Sequence, residues 1–410
     1  MRRVCSGSRP GFRHVWQASS GSRPGFRQIV MRRLLNPGGF SYVRLGSHPT
    51  RGPQGASRSR IRIHEIVMIE HAELNRILAA LPGQTIGLVG DLFLDRYLEL
   101  SADLHELSIE TGLEAYQVAR IRNCPGALGT VISNLAALGV GRIVPLSVIG
   151  DDGLGFDLMQ AVRQVPGVNE AHVLKCGTRS TPTYTKPLRP TPSGQWDEWH
   201  RLDIRSREPL TEQTTADVCR HLEQLFHDAD GIIVLDQVPE ADWGVVNADV
   251  RERLAALSKQ DPSKLLYVDS RTHLRHFRFG VLKGNRHELA EAVGVDANDD
   301  QAVQGAAQQL TERTRQPVFC TLGELGLLVA RPGAPQQRVA AYPVTGPVDI
   351  VGAGDSATAG LVTSLVAGAD CVDAAEVANL IASITVQQLG TTGTASPQQV
   401  LDRWQECQTP

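Results

Sequence analysis

From about residue 85 the chain alternates short, wholly apolar runs with longer stretches whose apolar residues recur every three to four positions. The first kind predicts buried strands at Thr85–Gly90 (TIGLVG), Arg142–Val148, Gly231–Leu235 (GIIVL), Leu265–Val268 and Val318–Thr321. Runs without polar alternation are covered on both faces, as in a parallel sheet. The second kind predicts helices over Ala127–Leu138, Leu154–Val162, 212–226, 243–258, 300–312, Ser356–Val366 and Ala374–Leu389. Such alternation predicts an α/β fold, a mostly parallel central sheet flanked by helices on both faces. Ligands then bind beyond the carboxyl ends of the strands. Two regions, about 98–121 and 170–204, break the rhythm and read as strands with no helix between them.

Residues 1–67 carry neither period. The first sixty hold twelve arginines, no lysine and no acid, and the heptad GSRPGFR at 7–13 returns at 21–27. Such a composition buries too little apolar surface to offset the entropy of ordering. It reads as a disordered tail, as an Arg-rich transit peptide, or as sequence upstream of a true start at Met68. The last is favoured, because Met68-Ile69-Glu70 opens an amphipathic helix through Leu74, Ile77, Leu78 and Leu81. Residues 68–410 are then one folded domain.

Charge sharpens this division. The formal net charge is −3, so setting aside the twelve N-terminal arginines leaves about −15 on the rest. An acidic body argues against nucleic acid as a partner. No uncharged apolar run reaches 18 residues, so no membrane span is expected. The seven cysteines are scattered and form no C-x-x-C, which argues against a disulfide framework or a zinc site and fits a reducing cytoplasm.

The candidate chemistry centres on Val348-Asp349-Ile350-Val351-Gly352-Ala353-Gly354-Asp355-Ser356-Ala357. Three small residues precede a carboxylate and a helix, so Gly352, Ala353 and Gly354 present helix N-terminal amides that have no intrahelical acceptor. These amides and the helix dipole attract an anion, and Asp355 stands ready to accept a proton from a hydroxyl. An anion hole beside a base suits phosphoryl transfer to an alcohol. The other reading is a tight strand-to-helix turn with an acid in the first turn. Further along the strand ends, Asp91 and Asp95 in G-D-L-F-L-D-R-Y can grip sugar hydroxyls. Asn285 and Glu288 in K-G-N-R-H-E place an amide and a carboxylate on one helical face, donors that suit Mg²⁺ through water. Thr321, Gly323 and Gly326 form T-x-G-x-x-G after an apolar strand, and Asp236 ends GIIVL.

The glycine turn resembles the D-T-T-G-A-G-D signature of the ribokinase-like (PfkB) carbohydrate kinases, with Ile350 and Val351 in place of the two threonines. The resemblance covers roughly 85–405. It implies a ribokinase-like fold with a small β-sheet lid from about 98–121 and 170–204, ATP as phosphoryl donor, and Asp355 as catalytic base. By resemblance the turn residues 352–354 stabilise the transferring group, and Asn285 and Glu288 hold Mg²⁺. Thr321, Gly323, Gly326 and Asn379 line the nucleotide, and Asp349 joins carbonyls of 390–394 around a monovalent cation such as K⁺. G-D-x-x-L-D-R-Y, Gly126, Ala127 and Asn134 are similar to the heptose-phosphate kinases of this family, which implies a sugar or sugar-phosphate acceptor held by Asp91, Asp95, Lys186 and Asp236. In the same ribbon Lys186, Arg189 and Arg201 are the cations expected to meet a phosphate on that acceptor. Thr130 replaces an expected asparagine, and the lysine expected shortly after Asp236 is missing. These departures keep two other readings open: another ribokinase-like or nucleoside kinase, or a non-catalytic ligand sensor. Family members often pair as homodimers through the lid.

Overall fold

The structure is a computed structural model and describes residues 68–191 and 194–408; the expectations for residues 1–67 lie outside them. In chain order the elements are α1 (His71–Ala80), β1 (Thr85–Gly90), β2 (Leu92–Leu107), β3 (Glu114–Ala127), α2 (Leu128–Ala137), β4 (Arg142–Gly150), α3 (Gly153–Arg163) and β5 (His172–Cys176). There follow β6 (Thr183–Pro190), β7 (Trp196–Glu198), β8 (Leu202–Ile204), α4 (Glu212–Asp228), β9 (Gly231–Asp236), α5 (Ala248–Gln260), β10 (Leu265–Ser270), β11 (Val281–Asn285) and α6 (Arg286–Val293). The last are α7 (Asp300–Thr314), β12 (Val318–Thr321), β13 (Leu327–Ala330), β14 (Gln337–Val339), α8 (Ala353–Val366), α9 (Cys371–Thr385) and α10 (Pro397–Gln408).

Nine strands form the central sheet in the order β14-β13-β12-β11-β10-β9-β1-β4-β5. Pairing is parallel from β5 to β12 and antiparallel only for β12–β13–β14. Side chains alternate across it with the two-residue period of a strand. Ile86 and Leu88 of β1, Ile233 and Leu235 of β9 and Tyr267 of β10 face a core shared with α1, α2, α3, α8 and α9. Val89, Ile232, Val234, Leu266 and Val268 face the other core, under α4, α5, α6 and α7. Every strand residue from Ile86 to Gly90 and from Gly231 to Asp236 is buried, which is why these runs show no polar alternation. Leu74, Ile77 and Leu78 of α1 enter the first core.

The chain passes β1→β4→β5 on one side and β9→β12 on the other, so its direction across the sheet reverses between β1 and β9. Such a switch point opens a crevice at the carboxyl ends of the strands. Over that end stands a second sheet, β3-β2-β6-β7 with β8 also on β6. Two boundaries differ from the sequence reading. β5 lies in the segment expected to belong to the small sheet, yet it pairs with β4 from Leu146↔His172 to Gly150↔Cys176 and so extends the central one. The helix expected at 243–258 begins at Ala248, because the Asn247 side chain caps it by accepting the Val250 N–H at 3.1 Å.

Candidate active site

The central sheet delivers side chains to one edge. Asp91 follows β1, Asp236 ends β9, Asp269 lies near the end of β10, and Lys283 and Asn285 lie at the end of β11. The parallel register brings Asp269 opposite Lys283 and Leu235 opposite Asp269. Helix α8 enters the same edge from Gly352, which caps it with φ 82°, a left-handed conformation that favours glycine. Gly354 serves by being small: a Cβ there would stand 3.2 Å from the Lys283 ammonium.

Asp355, in the first turn of α8, is half-buried. Burial pushes its carboxyl up to about 7; Asp269 adds to the rise, while Lys283, Arg271 and a hydrogen bond from Gln237 oppose it. Lys283 is buried and donates to Asp269 Oδ2 at 2.7 Å. Burial alone would lower its affinity for a proton, but Asp269 and Tyr267 outweigh burial and the shift is upward, so the ammonium stays charged. Thr358, one turn into α8, donates to the same Asp269 oxygen at 3.2 Å and ties the helix to β10. The sequence reading missed Lys283, Asp269, Gln237 and Arg271. Lys283 sat inside the quoted K-G-N-R-H-E motif, but only the β10–β11 register shows that it reaches the glycine turn.

Asn285 and Glu288 form a capping box on α6. Asn285 Oδ1 accepts the N–H groups of His287 and Glu288 at 2.9 and 3.0 Å, and Glu288 Oε2 accepts the Asn285 N–H at 2.7 Å. Burial, then the neighbouring Asp269, raises the Glu288 carboxyl to about 7 against the pull of Lys283. Among the described residues no three His, Cys, Asp or Glu side chains gather as a metal cluster.

Thr321 ends β12, Gly323 (φ 62°) opens a single 3₁₀ turn, and Gly326 (φ 86°) lets β13 return: a Cβ there would lie 2.1 Å from the Val339 carbonyl oxygen. Asn379 was expected to line the nucleotide. Instead its amide donates to the Val339 and Ala340 carbonyls at 3.1 and 3.0 Å, and it clamps α9 to the end of β14. The Asp349 carboxylate accepts the Val351 and Gly390 N–H groups, each at 3.0 Å, so it ties the irregular segment before the glycine turn to the 390 loop.

On the acceptor side the two aspartates of G-D-L-F-L-D part company. Asp91 is 2% exposed and faces inward: Arg179 Nη2 donates to its Oδ1 at 2.9 Å and the Val245 N–H to its Oδ2 at 3.1 Å. It is a structural carboxylate rather than the sugar ligand expected. Asp95, on β2, faces Lys186 at 3.5 Å beneath the second sheet. Lys186 also donates to the Tyr97 hydroxyl at 3.3 Å, and the Lys186 and Arg122 cations both lie over the Tyr97 ring. Gly126 makes room for Asp95, since a Cβ there would lie 2.9 Å from the carboxyl carbon. Ala127 adopts φ 53°, ψ −112°, a strained conformation for a residue with a side chain. Asn134 is 1% exposed; its amide nitrogen donates to the Thr130 carbonyl at 2.9 Å while its Oδ1 has no partner, so the side chain is buried within α2's packing rather than presented to a sugar as expected. Thr130 stands against the glycine turn, its methyl 3.6 Å from where a Gly352 Cβ would be. Asp236 accepts the Ser270 hydroxyl at 2.8 Å and bonds His273 Nδ1 at 3.2 Å, so it orders the β9–β10 end. No described helix is long and apolar enough to cross a membrane.

Comparison with known proteins fits this arrangement. Residues 114–399 match the pfkB family carbohydrate kinase. The chain is 29% identical over 320 residues to the bifunctional protein HldE of Caulobacter sp. (strain K31), covering 78% of this chain and 62% of that one. It is 29% identical over 321 residues to HldE of Mesorhizobium japonicum, again with 78% and 62% coverage. The chain thus spans about three-fifths of the length of these curated relatives. Arabidopsis thaliana ribokinase, solved with ribose and ATP, has the same fold with a TM-score of 0.58 at 17% identity, over 78% of this chain and 98% of that one. Escherichia coli phosphofructokinase-2 gives 0.60 at 18% identity, over 79% and 99%. With the family match spanning most of the described domain and the ribokinase-like fold around the Asp355 turn, the chain belongs to the pfkB family of carbohydrate kinases, phosphotransferases that act on a sugar hydroxyl.

Proposed function

We propose that this protein is an ATP-dependent sugar kinase in which Asp355 is the general base. The observation that supports it best is the convergence of Asp355, the first-turn amides of α8 and the Lys283 ammonium at one point. A sugar hydroxyl beside Asp355 gives its proton to the carboxylate as its oxygen attacks the γ-phosphorus. The new O–P bond forms in line with the breaking bond to the β–γ bridging oxygen, and ADP leaves. The amides of Gly354 and Asp355 and the Lys283 ammonium meet the charge on the transferring group. Asp95 and Lys186 hold the sugar under the second sheet, and the turn at Gly323 and Gly326 borders the nucleotide.

A divalent cation, Mg²⁺ by family resemblance, fits the corner made by Asn285 and Glu288, where two close carboxylates, Glu288 and Asp269, raise the demand for positive charge. Both capping-box side chains already serve the backbone, so they would hold the ion through water. The ion would screen phosphate charge. Because the Asp349 carboxylate is taken by backbone amides, a monovalent cation such as K⁺ would rest on the carbonyls of 390–394. The likeness to heptose-phosphate kinases favours a heptose acceptor. A cytoplasmic homodimer joined through the second sheet is favoured by the exposed Leu107, Leu113, Ile121 and Leu202.

The test is ADP release from Mg-ATP with a panel of sugars and sugar phosphates. Asp355→Asn should abolish turnover while ATP still binds. Turnover by the variant at the wild-type rate would remove Asp355 from the chemistry.

A further inference from the structure

Three buried polar side chains, Asp236, Ser270 and His273, form a knot at the strand ends with no part in the proton transfer. Asp236 ends β9, Ser270 ends β10, and the parallel register sets the two side by side. The Ser270 hydroxyl donates to Asp236 Oδ2 at 2.8 Å, and His273 Nδ1 bonds the same oxygen at 3.2 Å. The His273 N–H in turn donates to Ser270 Oγ at 3.0 Å. The three are 4%, 0% and 6% exposed, so they serve one another. The hydrogen bond from Asp236 raises the affinity of His273 for a proton against burial, Arg251 and Arg275. Sealing polar groups under a sheet edge costs desolvation that apolar packing avoids, so the knot calls for a reason.

Its neighbours along the chain supply one. Side chains alternate across both strands. Val234 of β9 and Val268 of β10 face the core under α4–α7, whereas Leu235 and Tyr267 face the core shared with α8. The same period puts Asp236 and Ser270 with the first pair and carries Gln237 and Arg271, one residue past each, to the α8 side. Asp269 of that row already meets Thr358 of α8 at 3.2 Å. Gln237 and Arg271 line one small opening with Phe93 and Tyr184 of the second sheet. The Gln237 side chain hydrogen-bonds the Asp355 carboxylate, and Arg271 adds its charge there. The backbone is fixed on both sides of Gln237. The Arg271 N–H donates to the Asp236 carbonyl at 3.0 Å, and the Val238 side chain is buried against Gly244, where a Cβ would stand 3.2 Å from it.

Asp355 needs such a neighbour. Ala353 and Gly354 before it offer almost no side chain to pack its carboxylate, and the Lys283 ammonium is committed to Asp269 at 2.7 Å. The terminal torsion of an aspartate is broad, while a general base must be held to a narrow range of directions. A neutral amide suits this task. It orients the carboxylate without the strong loss of proton affinity that a guanidinium in contact would bring. One oxygen on Gln237 leaves the other for the incoming hydroxyl. We propose that Gln237 is the positioning residue of the base, and that the Asp236–Ser270–His273 knot holds Gln237 in the place from which it aims Asp355. The proposal rests on the sugar-kinase reading and deepens it with the residues that orient its base.

The experiment uses the full chain with two independent readouts. The first is steady-state turnover of Mg-ATP with sugars and sugar phosphates. The second is the carboxyl carbon-13 shift of Asp355 followed by NMR across pH, assigned through Asp355→Asn. Gln237→Leu should lower kcat about 10- to 100-fold, with no change in the KM for ATP and a smaller change in the acceptor KM than in kcat. It should also move the Asp355 midpoint upward, because a donor that favours the carboxylate is lost. Lys283 of β11, Asp269 of β10 and Arg271 face Asp355 in both proteins, so the movement reports the amide. His273→Ala should reproduce both effects in weaker form, and His273→Asn, whose amide nitrogen takes the place of Nδ1, should restore them. Gln237→Leu with wild-type kcat and midpoint would overturn the proposal. A His273→Ala variant that melts earlier yet keeps the wild-type midpoint would overturn the role given to the knot. Gln237 is half-buried and its variant leaves the knot intact, so the main claim stays testable if His273→Ala does not fold. If the wild type turns over no acceptor, the kinase reading fails and the NMR midpoint alone decides: an upward move in Gln237→Leu supports the positioning role, and an unmoved midpoint overturns it.

Discussion

Replacing Asp355 by asparagine should inactivate the protein and stabilise it. Burial holds the folded carboxyl near 7, whereas an unfolded aspartate ionises near 4. Between these values the folded chain carries a proton that the unfolded chain has lost. Stability therefore falls as pH rises from about 4 to 7, and the cost is complete above 7. A shift of about three units corresponds to a ceiling of roughly 4 kcal/mol. Asp355 is only half-buried, so solvent screening reduces this to about 1–3 kcal/mol. Asparagine keeps the shape and cannot ionise. For a folded body of about 340 residues, a gain of that size raises Tm by roughly 1–4 °C. The assay is thermal melting of wild type and Asp355→Asn at pH 8 and at pH 4.5, with ADP release in parallel. The gain should be present at pH 8 and shrink toward zero at pH 4.5, while kcat falls roughly 10²- to 10⁴-fold. A variant that is inactive but less stable than wild type at pH 8 would refute the claim that a desolvated charge is stored at this position.

The same shift sets the pH profile of activity: kcat/KM should fall below about pH 7 with a single-proton slope, and Lys283→Met, which removes the strongest charge opposing the rise, should move that limb upward in pH. A flat profile from pH 5.5 to 7.5 would count against Asp355 as the base. Ala127→Gly should stabilise the fold by up to about 1 kcal/mol, because glycine adopts φ 53°, ψ −112° without strain; chemical denaturation measures this. Asp91→Asn should destabilise by roughly 3–5 kcal/mol, since it leaves the buried Arg179 guanidinium without its countercharge. Gly360→Leu should cost about 2–3 kcal/mol, because a Cβ there already stands 2.9 Å from Ile381 and 3.0 Å from the Ala378 Cα where α8 crosses α9.

Sequence alone determined the layered architecture and the place of the central turn. Strands buried on both faces leave continuous apolar runs, and Thr85–Gly90 and Val318–Thr321 match the folded strands end to end. A glycine turn ahead of an Ala-rich helix likewise reads directly, because left-handed φ at Gly352 and the helix start at Ala353 are local properties of the chain. Partnership was decided only in three dimensions. Asp91 and Asp95 look equivalent in G-D-L-F-L-D, yet β1 carries one into the buried Arg179 pair while β2 carries the other under the second sheet. Asn134 and Asn379 have the residue type of ligand-binding amides, but packing turned both onto backbone carbonyls. Lys283 meets Gly354, and Gln237 meets Asp355, across separations in sequence that no periodicity reports. Hydrophobic period is written in neighbours along the chain, whereas charge pairing and desolvation depend on which strand ends the sheet brings together.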